Sequence, residues 1–321
     1  MHQSLLSVED LSISFTTDDK PVKTVDGVSF PVDREDFHVL VGESGSGKTL
    51  TALSIMRLLP SNAVFSGKIL FNGEDMPAKR NRELRKIRGR DISMVFQEPM
   101  TSLNPVFNIG YQVAEVFMTH LNINKKDALD RAIEVLRSVK IPSPELRIKE
   151  YPHQMSGGMR QRVMIAMAIA CNPALIIADE PTTALDVTIQ AQILELLGGL
   201  KERNKMSMLF ITHDLGIVAE RADSVEVMYA GRIVEKAGVN EIFLHPGHPY
   251  TIGLIESLPK GKGAKLIPIP GQAPKLNELP PGCKFAPRCR YVIKDCHEKE
   301  PELVSINSGE HRSRCIRANE L

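Results

Sequence analysis

Gly42-Glu43-Ser44-Gly45-Ser46-Gly47-Lys48-Thr49 fits the pattern G-x-x-x-x-G-K-[ST]. It follows the apolar run 39–41 and opens a helical stretch, 50–59, and that context turns the pattern into a P-loop. The chemistry explains the residue types. Glycines let the backbone curl until successive N–H groups point inward at phosphate oxygens. The helix N-terminus adds its positive end. Lys48 supplies a full charge for the β- and γ-phosphates, and Thr49 offers a hydroxyl to Mg²⁺. A phosphate-cradling loop between a buried strand and a helix sets the fold class as α/β.

Moving outward, the runs 175–178 and 209–211 have the same bare apolar character as 39–41, which suits a sheet covered on both faces. Leu11, Ile13 and Phe15 alternate with Ser12, Ser14 and Thr16, the period of a half-exposed strand, and 24–32 reads similarly. Between 98 and about 160 the pattern turns helical. Ala128, Ala132, Val135, Leu136 and Val139 share one face, and Pro142 and Pro144 are expected to end that helix. The expected architecture is a P-loop NTPase core (1–258) with an N-terminal antiparallel β subdomain, a helical insertion over about 98–160, and a Cys-rich C-terminal extension, 259–321.

Composition bounds the function. The chain has 321 residues, 42% hydrophobic and 25% charged, with 40 Lys and Arg against 39 Asp and Glu. These values exclude a disordered or fibrous chain. A net charge of +1 gives no bulk attraction to nucleic acid, so no nucleic-acid partner is expected. The longest run free of polar side chains, 163–171, is half a membrane span, and residues 1–10 lack a signal peptide's pattern. The chain is expected in the cytosol, meeting a membrane only through a partner.

A P-loop needs a second metal anchor. In 175–180 an apolar run ends in Asp179 and Glu180. Asp179 can hold Mg²⁺ through water, and Glu180 can orient the attacking water as a base; the plainer alternative is a helix N-cap carboxylate. Ser156, Gly157 and Gly158 open another helix and make a second anion-binding N-terminus, or a simple N-cap. Because one ATP is already held at 42–49, the economical account is a head-to-tail dimer. In it, Ser156–Gly158 of one copy close over the ATP of the other.

Together with Gln97, the segment 184–186 (Ala-Leu-Asp) and His213, these motifs resemble the nucleotide-binding subunit of an ABC transporter over about 250 residues, in the family's order. Met159 in Ser-Gly-Gly-Met-Arg-Gln-Arg, the run Ala-Asp-Glu-Pro-Thr-Thr-Ala-Leu-Asp-Val-Thr at 178–188, and His-Pro-Gly-His-Pro-Tyr-Thr at 245–251 are similar to the dipeptide/oligopeptide importer ATPases. The resemblance implies that Phe15 stacks on adenine, Gln97 reaches Mg²⁺ and water, Asp186 couples the two dimer sites, and His213 contacts the γ-phosphate. Residue by residue, the alternatives are a plain core Phe, a solvated Gln, an N-cap Asp and a structural His. The resemblance further implies two membrane permease subunits, a second ATPase subunit, an extracellular peptide-binding protein acting indirectly, and a place on the cytoplasmic face of the membrane. Import of another solute such as nickel, or a soluble ATPase acting on nucleic acid, are the rivals. One departure stands out. The family usually has Gly in the turn before the P-loop strand, where this chain has Asp33-Arg34-Glu35-Asp36.

The extension holds Cys283, Cys289, Cys296 and Cys315, spaced C-x5-C-x6-C-x18-C, and 8 of the 21 prolines. Cytosolic disulfides are rare, so the cluster reads as a metal site. The spacing is wider than in zinc knuckles and fits a [4Fe–4S] cluster, with Zn²⁺ or unliganded thiols as alternatives. Lys284, Arg288 and Arg290 are expected to offset thiolate charge. His297 and His311 are expected to face solvent, and Cys171 to lie in a helix core.

Overall fold

A computed structural model describes residues 4–16, 21–183, 185–258, 268–307 and 309–321. In chain order the strands are β1 (Leu6–Phe15), β2 (Val22–Val32), β3 (Phe37–Val41), β4 (Ala63–Phe71), β5 (Glu74–Asp75), β6 (Ile92–Val95), β7 (Leu175–Asp179), β8 (Ser207–Thr212), β9 (Ser224–Tyr229), β10 (Arg232–Gly238), β11 (Val304–Ser305) and β12 (Arg312–Ser313). The helices are α1 (Lys48–Ile55), α2 (Asn81–Ile87), α3 (Pro99–Ser102), α4 (Ile109–Leu121), α5 (Lys125–Ser138), α6 (Pro144–Arg147), α7 (Gly157–Ile169), α8 (Val187–Asn204), α9 (Leu215–Arg221), α10 (Val239–Leu244) and α11 (Pro249–Glu256). The chain divides into two compact units, 1–77 with 211–321, and 78–210.

The first unit carries the N-terminal antiparallel sheet, ordered β2-β1-β4-β5. Leu6, Val8, Leu11 and Ile13 of β1 are buried while Phe15 is half-buried, so the alternation read from the sequence marks the core face. A second sheet runs β11-β12-β10-β9-β3 in this unit, with β3 and β9 parallel. All five residues of β3 are buried. The turn before β3 keeps its shape without glycine, because Glu35 adopts a left-handed φ of 60°.

The second unit places β8, β7 and β6 side by side; β6 and β7 are parallel, and β8 ends in the first unit. Every residue of β7 and β8 is buried, as bare apolar runs require. Its longer helices start on side-chain caps. Asn108 Oδ1 accepts from Tyr111 N (2.8 Å) and Asn124 Oδ1 from Asp127 N (3.0 Å). Ala128, Ala132, Leu136 and Val139 are buried and Val135 half-buried, one stripe at helical spacing. The expectation for the prolines needs correcting. α5 ends at Ser138 before either proline, and Pro144 opens α6 rather than ending a helix. At the first helical position its missing N–H costs nothing. Among the described residues no helix is long and apolar enough to cross a membrane.

Candidate functional site

Residues of the candidate site fall on both units. In the first, the P-loop leaves β3 and winds into α1. Gly47, the cap of α1, has φ 104° and no side-chain cap. A Cβ on Gly42 would stand 2.1 Å from the Met228 carbonyl oxygen, so that position admits only glycine. Lys48 is buried and its Nζ donates to the carbonyls of Gly42 (2.7 Å) and Glu43 (2.9 Å), across the mouth of the loop. Ser46 N donates to Glu43 O (3.2 Å), and Gly231 N to Ser46 O (3.0 Å). Ser44 and Gly45 are exposed, and Thr49 follows Lys48 at the start of α1. His213 is exposed just beyond β8, and Asp214 caps α9 through Gly216 N (2.7 Å). Phe15 stands at the end of β1, paired with Val22 and Ala63.

In the second unit, β7 ends on buried Asp179, and Glu180 follows with φ 45°, a left-handed conformation costly for a residue with a Cβ. Its Oε2 accepts from Gln97 Nε2 (3.2 Å) and from Thr183 Oγ1 (3.0 Å). The structure therefore brings Gln97 and Glu180 together across 83 residues, and adds Thr183, which the sequence reading passed over. Ser156 caps α7, its Oγ accepting from Met159 N (3.3 Å), and Asp186 caps α8, its Oδ1 accepting from Ile189 N (3.0 Å). The two starts adjoin. A Cβ on Gly158 would lie 2.8 Å from Ile189 Cγ2, and one on Gly157 3.8 Å from Leu185 Cδ2. Both N-cap alternatives are thus realised, on exposed side chains whose outer faces meet solvent. Ala184 of the 184–186 segment and residues 259–267 of the extension lie outside the described residues.

The extension differs from expectation. Cys283, Cys289, Cys296 and Cys315 line one cavity of about 10 Å³, and Cys283 N donates to Cys296 O (2.8 Å). Burial pushes the Cys283 and Cys315 thiols up to about 11 and raises Cys289. A space that size holds about one water. Among the described residues no group of three or more His, Cys, Asp or Glu is disposed to hold a metal ion. The donor chemistry suits a four-thiolate centre; the spacing shown does not form one. Of the charges assigned to the thiolates, Arg290 acts on Cys289, lowering its thiol against the larger effect of burial, and the other two go elsewhere. Arg288 pairs with Glu43, Lys284 Nζ donates to Ala230 O (3.2 Å) and lies 3.6 Å from Asp26, and Arg290 also pairs with Glu256. His311 is buried against Glu235 (2.7 Å), whereas His297 is exposed. Cys171 lies beyond the end of α7, half-buried. No local pattern could have shown the Glu43–Arg288 pair, whose members are 245 residues apart.

Residues 25–183 match the ABC transporter family, and residues 234–296 match the C-terminal region of oligopeptide/dipeptide transporters. A putative peptide import ATP-binding protein of Brucella abortus is 50% identical over 99% of this chain and 98% of its own length. The oligopeptide transport ATP-binding protein AppD of Bacillus subtilis is 51% identical over 95% of this chain and 94% of its own. Among solved structures, the dimeric structure of MJ0796, a bacterial ABC transporter cassette, matches with a TM-score of 0.65 at 25% identity, covering 73% of this chain and 98% of that one.

Proposed function

This chain belongs to the ABC transporter family, and from that premise we propose that it is the ATP-hydrolysing subunit that powers uptake of peptides through a membrane importer. The observation that carries the reaction is the fixed carboxylate of Glu180, gripped by Gln97 and Thr183 one residue beyond Asp179. A carboxylate so held acts as general base toward the water that attacks the γ-phosphate. The P-loop amides and Lys48 bind the phosphates; Thr49, Asp179 and Gln97 would hold Mg²⁺; His213 orients the terminal phosphate; and Phe15 offers a ring face to adenine. Likeness to a cassette described as dimeric, with the exposed Ser156 start, supports a head-to-tail sandwich of two ATP molecules. In that sandwich Ser156, Gly157 and Gly158 of one copy close over the partner's nucleotide and Asp186 links the two sites.

Peptide as the cargo rests on the two named importers and on the matched C-terminal region. The partners are then two permease subunits, a second ATPase subunit and, indirectly, an external peptide-binding protein, with this chain peripheral on the cytoplasmic face. Four thiols lining one cavity are a donor set chemically suited to a staple of the extension by [4Fe–4S] or Zn²⁺, although among the described residues they are not disposed as a ligand group, and no step of hydrolysis depends on it. Iron, sulfide and zinc analysis of anaerobically purified protein decides that point. For the central reading, Glu180→Gln is expected to cut turnover by about 10²–10⁴-fold while Mg·ATP still binds and drives dimerisation. A variant that stays monomeric at saturating Mg·ATP in sedimentation would overturn the sandwich.

A further inference from the structure

Glu43 puts a carboxylate on the second residue of an anion-binding loop. Its own carbonyl accepts from Lys48 Nζ, the amine meant for phosphate, at 2.9 Å. Left alone, that carboxylate cancels the loop's one cationic side chain and repels a polyphosphate.

The extension meets this charge. Arg288 Nη1 donates to Glu43 Oε2 (2.8 Å) and Nη2 to Oε1 (3.0 Å), a two-pronged pair that occupies both oxygens. The arginine side chain is 6% exposed and the glutamate 31%. The guanidinium is aimed by further contacts. Nε donates to Pro270 O (2.9 Å), Nη1 approaches the Tyr229 hydroxyl (3.4 Å), and the rings of Tyr229 and Phe285 lie 5.8 and 5.9 Å from its carbon. The backbone of the same glutamate is held from the same side, its N–H donating to the Tyr250 hydroxyl (2.9 Å). A fork held this firmly is preorganised, so little freedom is lost in forming the pair.

We propose that Arg288 is a positioning residue of the ATP site: it neutralises Glu43 and fixes the second residue of the P-loop, so that the nucleotide's phosphates meet a loop of net positive charge. With Arg288 in place the side-chain charges at Glu43, Lys48 and Arg288 sum to +1; without it they sum to zero. This inference rests on the ATP-binding reading above. It makes the extension part of the nucleotide site, rather than an appendage to it.

Titration calorimetry of the full-length chain with Mg·ATP and Mg·ADP tests it. Wild-type protein that binds neither nucleotide defeats the ATP reading itself; the outcomes below concern Arg288 alone. Arg288→Met is expected to weaken ATP binding on the order of tenfold, and ADP binding less, because the repulsion scales with phosphate charge. Adding Glu43→Gln to Arg288→Met removes the orphaned carboxylate and returns affinity to within about threefold of wild type. Equal losses for ATP and ADP, no loss at all, or no rescue in the double variant each overturn the proposal, since a merely structural arginine is not rescued by deleting its partner's charge. If Arg288→Met does not fold, Glu43→Gln alone decides. Tighter ATP binding, with Arg288 now uncompensated, supports the role; unchanged or weaker binding overturns it.

Discussion

The two units differ in the balance of local and distant polar contacts. In the unit of residues 78–210, polar side chains act mostly at helix starts, with the Gln97–Glu180 bond, over 83 residues, as an exception. Asn108, Asn124, Ser156 and Asp186 each accept from a backbone N–H three residues on. In the unit that carries the P-loop they act across the chain. Glu43 pairs with Arg288 over 245 residues, Asp26 with Arg232 over 206, and Glu235 with His311 over 76. Local caps set where helices start. Distant pairs set which segments meet; Asp26–Arg232 and Glu43–Arg288 are part-buried, and Glu235–His311 lies in the core, where a lost partner is expensive.

Glu235 tests that contrast most severely. It is fully buried and accepts from Gly247 N (2.6 Å), His248 N (3.0 Å) and His311 Nε2 (2.7 Å). Glu235→Ala strands three buried donors and is expected to cost roughly 3–5 kcal/mol in denaturant unfolding. A cost below about 1 kcal/mol breaks the comparison.

Acid and base sharpen it next. Burial pushes Glu226 up to about 8 from an ordinary 4.5, and burial drives His248 down to about 3 from 6.5. Folded Glu226 keeps its proton up to about pH 8, whereas the unfolded chain releases it above about 4.5, so its contribution is present at low pH and lost as pH rises. Folded His248 refuses a proton that the unfolded chain takes below about 6.5, so stability falls as pH drops through the window from 6.5 to 3. Between pH 6.5 and 8 Glu226 acts alone, and stability should rise by about 2 kcal/mol on acidification. From 6.5 to 4.5 the two oppose each other. Below 4.5 His248 erodes stability, joined below about 3.8 by Asp26, whose carboxyl is held against burial at about 2 by its bonds from Lys23 and Arg232. Glu226→Gln should flatten the upper arm in melting profiles and leave the lower one; a profile that keeps the upper arm assigns it to another group.

Smaller effects belong to local devices. Ser156→Ala removes one N-cap and should cost about 1 kcal/mol of stability, with ATP-driven dimerisation weakened while ATP binding by a single chain persists. Loss of single-chain binding would place Ser156 in its own nucleotide site and defeat the head-to-tail reading. Glu35→Gly should stabilise by about 0.5–1 kcal/mol, because glycine accepts the left-handed backbone that Glu35 now adopts, less the entropy it adds to the unfolded chain.

The same contrast explains what the sequence made legible. The P-loop, the Asp179–Glu180 strand end, and the starts at Ser156 and Asp186 are short patterns whose chemistry lies within a few residues, and each was readable. Gln97 was placed by resemblance, and its bond to Glu180 needed the fold. Thr183, three residues from Glu180, carried no signal apart from a motif assigned on other grounds. Sequence proximity to Cys289 points Arg288 at the thiolates, whereas its carboxylate partner lies 245 residues away. His311 looked solvent-facing for want of the buried Glu235 that claims it.

Those 245 residues between Glu43 and Arg288 also measure time. At about 5–20 residues per second, the ribosome finishes the phosphate loop some 12–50 s before it makes the arginine that loop relies on. A nascent or prematurely ended chain therefore carries the whole G-x-x-x-x-G-K-T motif with an uncompensated carboxylate inside it. Full affinity for ATP would arrive only once Arg288 has been made, so that synthesis of the extension is itself what arms the nucleotide site.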